Sequence, residues 1–159
     1  MVRTAWQDDD LLGAWSALLR LHAALVPAID AELTSATGIP LGWYDVMLEL
    51  YQAPQRRMRM MELGQAVVLS RSRVSRVVDE LERNGYLVRM PNPDDRRSSY
   101  AELTTDGRRA FKKAAPIYLA AIRSQFGAAL PTRDASALRR LLEDALQRLD
   151  HSAAATSRA

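Results

Sequence analysis

The stretch LSRSRVSRVVDELERNGYLVRM, residues 69–90, decides the fold of this chain. Its apolar residues recur at the i, i+3, i+4, i+7 spacing of one helix face, at Val74, Val77, Val78 and Leu81. Ser70 precedes them as a good helix N-cap, because its hydroxyl can accept a bond from a free backbone N–H. Asn84 and Gly85 follow, and both tolerate the positive φ that ends many helices. The stretch therefore predicts an amphipathic helix that ends in a tight turn before an extended segment.

The residues on either side complete an ordered pattern. A short helix is predicted over 60–68, just before the Ser70 helix, and another helix over 41–51. Two short strands are predicted over 86–90 and 99–103, joined by a long polar turn that carries Asp94, Asp95, Arg96 and Arg97. A short helix, a turn, a capped helix and a projecting hairpin together predict a winged helix-turn-helix. We assign residues 41–103 to this DNA-binding domain.

The two ends of the chain are predicted to be helical. Apolar residues recur at helical spacing over 11–33, over 104–126 and again from Pro131 to Leu149. The apolar stripe of the first segment is wider than one packing partner needs, so part of it is expected to meet a second chain. The fold class is therefore mainly α with a small β-hairpin wing. Residues 1–40 and 104–150 form the predicted dimerisation region, and residues 151–159 a flexible tail.

Composition excludes several function classes. The 159 residues contain no cysteine, which excludes disulfides, thiol switches and thiolate zinc sites, and only two histidines. No Gly-rich phosphate loop, catalytic triad order or set-apart carboxylate pair is present, so we expect neither an enzyme nor a cofactor nor a bound metal. The N-terminal MVRTAWQDDD lacks the apolar stretch of a signal peptide, and no unbroken apolar run approaches about 18 residues. These features predict a soluble cytoplasmic protein with no membrane partner.

The positive charge is concentrated in the predicted winged domain. Residues 54–100 carry a net charge of +4, whereas the rest of the chain is net −1. On a helical wheel, small hydroxyls and guanidiniums lie opposite the apolar stripe, a composition suited to the major groove of DNA. Arg96 and Arg97 at the hairpin tip suit the minor groove, and we expect Asp95 to orient them. A merely solvated basic surface is the alternative interpretation of the charge.

The stretch from Leu69 to Gly107, with its DDRR wing, resembles the MarR family of bacterial transcriptional regulators. The resemblance extends from Leu11 to Leu149. It implies a homodimer in which each winged helix binds one half of a palindromic operator, as a repressor. Matched position by position, it implies DNA contacts from Ser70, Arg71, Ser72, Arg73, Ser75 and Arg76 of the recognition helix, and from Arg96 and Arg97 of the wing.

The resemblance also implies release from DNA by a small aromatic ligand bound between the dimer helices and the winged domain. The candidate ligand residues are Trp15, His22, Trp43 and Tyr44. An imidazole or an aromatic ring on an apolar helix face is also typical of a protein core, and the sequence leaves both interpretations open. The alternative function is a helical ligand-binding or protein-interaction dimer that has lost DNA binding.

Overall fold

The computed structural model describes residues 9–93, 95 and 98–156. Most of these residues are helical, as the sequence predicts. The α-helices are α1 Asp10–Thr37, α2 Leu41–Gln52, α3 Met60–Ala66, α4 Arg71–Arg83, α5 Thr105–Ala129 and α6 Thr132–Thr156. A 3-10 turn, Pro54–Arg56, follows α2.

Three short antiparallel strands form one sheet in the order β1-β3-β2. Their bounds are β1 Arg57–Arg59, β2 Leu87–Pro91 and β3 Ser99–Leu103. The predicted hairpin of β2 and β3 is confirmed, and we call these two strands and the loop between them the wing. The sequence analysis missed β1, which pairs with β3 on the side away from β2.

The helix α4 is held by its apolar stripe against the protein core. Val74, Val77, Val78 and Leu81 are all buried, in one cluster with Met47 and Leu50 of α2 and Leu87 of β2. Ser70 caps the helix as predicted, since its side-chain oxygen accepts a hydrogen bond from the Arg73 backbone N–H at 3.4 Å. The stripe and the cap together fix which face of α4 is turned outward.

The base of the wing is joined to the start of α5. Gly85 adopts a φ of 73°, a left-handed conformation that glycine adopts without strain. The Thr104 hydroxyl donates to the Gly85 carbonyl at 2.7 Å and accepts from the Gly107 N–H at 3.0 Å. Gly107 lies directly against the Tyr86 carbonyl, where a side chain would not fit. These contacts set the direction in which the wing leaves the domain.

The chain divides into two compact units, Met1–Ala121 and Ile122–Ala159. In the second unit, α6 continues to Thr156, so residues 151–156 of the predicted tail are helical. Three consecutive alanines, the best helix formers, lie in that segment and extend the helix. Residues 157–159 of the predicted tail lie outside the described residues.

Helix α1 is unusually apolar for a helix with so much exposed surface. Its C-terminal half buries Ile29 and Leu33, but Leu11, Trp15, Leu18, Leu19 and Val26 are exposed. By length and composition, α1 is the one helix among the described residues that is long and apolar enough to cross a membrane, although its sequence contains no unbroken apolar run of that length. Between Leu11 and Val26, the apolar residues are interrupted by Gly13, Ser16, Arg20 and His22. The helix therefore carries an apolar surface that the described residues of one chain leave uncovered.

Candidate nucleic-acid interface

The outward face of α4 carries the predicted DNA-contacting residues. The side chains of Ser70, Ser72, Arg73, Ser75 and Arg76 are all exposed. Ser70 and Ser72 bring their hydroxyl oxygens within 3.3 Å of each other, and Arg76 donates from Nε to the Ser72 carbonyl at 3.4 Å. The side chain of Arg71 lies outside what the structure describes. The face is therefore a row of hydroxyls and guanidiniums that begins at the N-terminal end of the helix.

A hydrogen bond from α2 fixes the C-terminal part of α4. The Trp43 indole N–H donates to the Glu80 carboxylate at 2.7 Å. The same indole packs edge-on against Tyr86, with 6.2 Å between ring centroids. Trp43 thus joins α2, α4 and the base of the wing, a role that the sequence analysis did not foresee.

Asp79 lies further along the outward face, where its charge would repel phosphate. The structure pairs it with Arg89 of β2, which also binds Glu82 through a second guanidinium nitrogen. Burial alone would lower the pKa of Arg89, but the hydrogen bonds to Asp79 and Glu82 outweigh it and raise that pKa above its usual value. This network offsets part of the charge of Asp79 and attaches β2 to α4. The sequence analysis missed it, since no local pattern links the two positions.

The wing loop is closed at its base by a buried asparagine. Asn92 is only 2% exposed, and its side-chain amide donates to the Ser98 hydroxyl at 2.8 Å. Asp95 is exposed, and its backbone carbonyl accepts from the Ser98 N–H at 3.0 Å. Arg96 and Arg97 lie outside the described residues, so the predicted orienting role of Asp95 remains a prediction.

The candidate ligand residues separate into two groups. His22 and Trp43 line an open cleft of about 1050 Å³ between α1, α2 and α4, and Arg73 and Arg76 line it too. Tyr44 does not line it: it is buried, stacks on Phe111 and packs at a tilt against Tyr118, with ring centroids 5.2 and 4.3 Å away. Trp15 is exposed on α1, outside the cleft lining. The structure therefore brings two of the four candidates together.

The cleft also contains a carboxylate whose charge is unfavourable in the folded protein. The pKa of Asp45 is raised from 3.8 to about 6, chiefly by burial and in smaller part by the nearby carboxylates of Glu49 and Asp30. Burial likewise raises the pKa of Tyr118, which lines the same cleft, so that hydroxyl stays protonated and neutral. Near neutral pH, Asp45 is therefore ionised at a cost to folding stability.

Replacing Asp45 by asparagine is expected to stabilise the protein at pH 8 by about 1 kcal/mol. This is less than the full pKa shift would correspond to, because the carboxylate is still partly hydrated. The pKa in the folded state lies above that of the unfolded chain, so the cost of ionisation is complete above about pH 6. It disappears as the pH falls towards 3.8, and so does the advantage of Asp45→Asn. Urea unfolding of both proteins at pH 8 and pH 4.5 checks this. An equal difference at the two pH values would contradict it.

Known proteins with the same arrangement are transcriptional regulators. Residues 37–98 match the MarR family. The chain is 38% identical to the HTH-type transcriptional regulator YkoM of Bacillus subtilis over 135 residues, 82% of this chain and 85% of that protein. It is 27% identical to the transcriptional repressor MprA of Escherichia coli, over 75% of this chain and 67% of MprA. None of these is an enzyme.

A solved structure agrees with the fold over most of the chain. Sco3205, a MarR family transcriptional regulator from Streptomyces coelicolor solved in complex with DNA, superposes with a TM-score of 0.78. The two chains are 29% identical, and the match covers 86% of each. The similarity thus includes the winged domain and the helices that flank it.

Proposed function

Because this chain belongs to the MarR family of DNA-binding transcriptional regulators, we propose that it is a homodimeric repressor that binds a palindromic operator. The observation that carries the proposal is the face of α4. Hydroxyls and guanidiniums line it from the N-cap onward, while the opposite face is buried in the hydrophobic core. Ser70, Arg71, Ser72, Arg73, Ser75 and Arg76 contact the major groove, and Arg96 and Arg97 the minor groove. We assign its site of action to the cytoplasm, where the operator is.

Uncovered apolar surface on two helices supports the homodimer. In the first unit α1 exposes a stripe of leucines with Trp15. In the second unit α6 exposes four leucines, Leu141, Leu142, Leu146 and Leu149. Apolar patches of this extent on a soluble protein usually mark an interface with another chain. A second copy of this chain is the occupant we propose, with residues 1–40 and 104–150 as the dimerisation region.

Two-fold symmetry then determines the form of the operator. Two identical α4 helices reach the same side of the duplex only when the half-site centres lie about one helical turn, ~10 bp, or a multiple of it apart. Each phosphate neutralised by an arginine should steepen the salt dependence of log K by about 0.9.

A small aromatic ligand in the cleft is proposed to release the protein from DNA. The indole of Trp43 and the imidazole of His22 offer stacking and hydrogen bonding there. Arg73 and Arg76 line the same cleft, so a ligand within it would contact side chains assigned to DNA. Displacement of a fluorescent operator by a panel of phenols and aromatic acids tests this step.

Selection of bound DNA from a random pool, with the full chain, tests the proposed function. The expected product is a palindrome with the spacing given above. Failure to enrich any sequence at low salt would instead favour a ligand-binding or protein-interaction dimer that no longer binds DNA.

The Arg76→Ala variant is expected to weaken operator binding by about 10-fold to 100-fold, because a bidentate arginine contact to a base contributes about 1–3 kcal/mol of discrimination. Arg76 is exposed on α4, so its removal leaves the core intact. Gel shifts with the selected operator measure the loss. The control is Arg109→Ala, which removes an equal charge from an exposed side chain of α5. Equal affinities for the two variants would contradict the assignment of the α4 face.

A further inference from the structure

The outer face of the sheet presents an arginine pair held on a tyrosine ring. Along β1, Arg57 and Arg59 are exposed and alternate with the half-buried Met58. Both guanidinium carbons lie over the Tyr100 ring of β3, at 5.1 and 5.9 Å from its centroid. Arg59 also donates from Nε to the Tyr100 hydroxyl at 3.3 Å. The ring thus restricts two cationic side chains before any partner binds, which lowers the entropy lost on binding.

This arginine pair lies next to the elements assigned to DNA. In the sheet register Arg59 faces Tyr100, and Tyr100 is one residue from Ser99, where β3 leaves the wing loop. Arg59 also immediately precedes α3, the first helix of the helix-turn-helix, an element that crosses the DNA backbone in proteins of this architecture. The pair is therefore continuous with both the wing and α3.

The sheet order decides where the pair would meet DNA. The strand β2 is attached to α4 through Arg89, while β1 lies at the opposite edge of the sheet. With α4 in the major groove and the wing beside it, β1 would lie on the far side of the wing. What DNA presents there to an exposed guanidinium is its sugar-phosphate backbone.

We propose that Arg59, assisted by Arg57, binds DNA phosphates beside the wing and so extends the footprint of the α4 face. The inference rests on the proposed DNA-binding function. A guanidinium fork matches a phosphate with two parallel hydrogen bonds, and such contacts position the protein without selecting a sequence. Glu102 faces Arg57 in the register and opposes phosphate binding at that end of the strand, so Arg59 provides most of the attraction.

Charge substitutions of both signs test the proposal. With the selected operator, Arg59→Ala is expected to weaken binding about 10-fold and to lower the slope of log K against log salt by about 0.9. Mismatched DNA should lose as much affinity, because phosphates carry no sequence. Glu102→Gln is expected to tighten binding, because it removes a charge that repels phosphate. Arg59→Lys is expected to weaken binding but to keep the slope of log K against log salt, because the positive charge remains. Arg109→Ala is the control of equal charge, and thermal unfolding of each variant checks that it folds.

The outcomes separate this inference from the function on which it rests. If the unaltered chain binds the operator but Arg59→Ala and Arg109→Ala have the same slope, the phosphate contact is refuted and the proposed function stands. If Arg59→Ala weakens binding to the operator but not to mismatched DNA, the contact is to a base and the inference is also wrong. If the unaltered chain enriches no DNA from the pool, both proposals fail.

Discussion

Replacing Gly107 by alanine is expected to destabilise the protein by about 3 kcal/mol or more, which lowers the melting temperature by roughly 10 °C. A Cβ at this position would lie 1.9 Å from the Tyr86 carbonyl oxygen and 2.8 Å from its carbon. Backbone atoms cannot rotate away as a side chain can, so α5 and the base of the wing must separate. The gain in helix propensity, about 1 kcal/mol, is too small to compensate.

The matched control is Gly64→Ala in α3. No atom lies within 4 Å of the added Cβ, and the residue lies inside a helix. Alanine there should stabilise the protein by about 0.5–1 kcal/mol, since it reduces the entropy of the unfolded chain. Thermal and urea unfolding of both variants give the comparison. If Gly107→Ala proved as stable as Gly64→Ala, the close contact at Tyr86 would be refuted.

The elements that the sequence predicted correctly are those with local signals. Three local signals predict the helix α4: the Ser70 cap, the 3.6-residue spacing of its valines, and the Asn84 and Gly85 pair at its end. All of them lie within 16 residues. Each of these signals depends only on near neighbours along the chain. The exposed face of α4 follows from the same periodicity, and the structure confirms its exposure.

The strand β1 was missed for the opposite reason. It has three residues, two of them arginines, and its partner β3 lies about 40 positions later. The turn before it places Gln55 and Arg56 at φ values of 56° and 59°, a conformation usually associated with glycine or asparagine. Neither β-propensity nor turn composition could therefore indicate it.

In the candidate site, too, local sequence signals predict some features, whereas others depend on packing between elements. Trp43 and Tyr44 are neighbours in sequence, yet one lines the cleft and the other is buried in the aromatic core. Adjacent helix positions differ by about 100° in direction, so only the packing of α2 determines which ring faces the cleft. The ion pair between Asp79 and Arg89 likewise depends on how β2 lies across α4. Helix caps and apolar stripes can be recognised in a single amino-acid sequence. Contacts between distant elements produce no such local pattern.

The Leu146→Asp variant is expected to convert the proposed dimer into a monomer and to weaken operator binding by about 100-fold or more. Leu146 is 61% exposed in the single chain and lies on the leucine face of α6. A carboxylate buried there in a dimer would lose its hydration without gaining a partner, so the interface should open. Each winged domain would then bind its half-site alone, without the high effective concentration that the second copy supplies.

The control for this variant is Gln147→Asp, which introduces the same carboxylate one residue further on, at an exposed position on the other side of α6. Sedimentation should find Gln147→Asp dimeric and Leu146→Asp monomeric at micromolar concentration, with thermal unfolding confirming that both remain folded. Gel shifts on full operators and on isolated half-sites then link assembly to affinity, because the monomer should bind both alike. A Leu146→Asp chain that stays dimeric would remove the leucine face of α6 from the interface. A monomer that binds the full operator as tightly as the unaltered chain would show that α4 and the wing of one copy suffice, and that the palindrome is not needed.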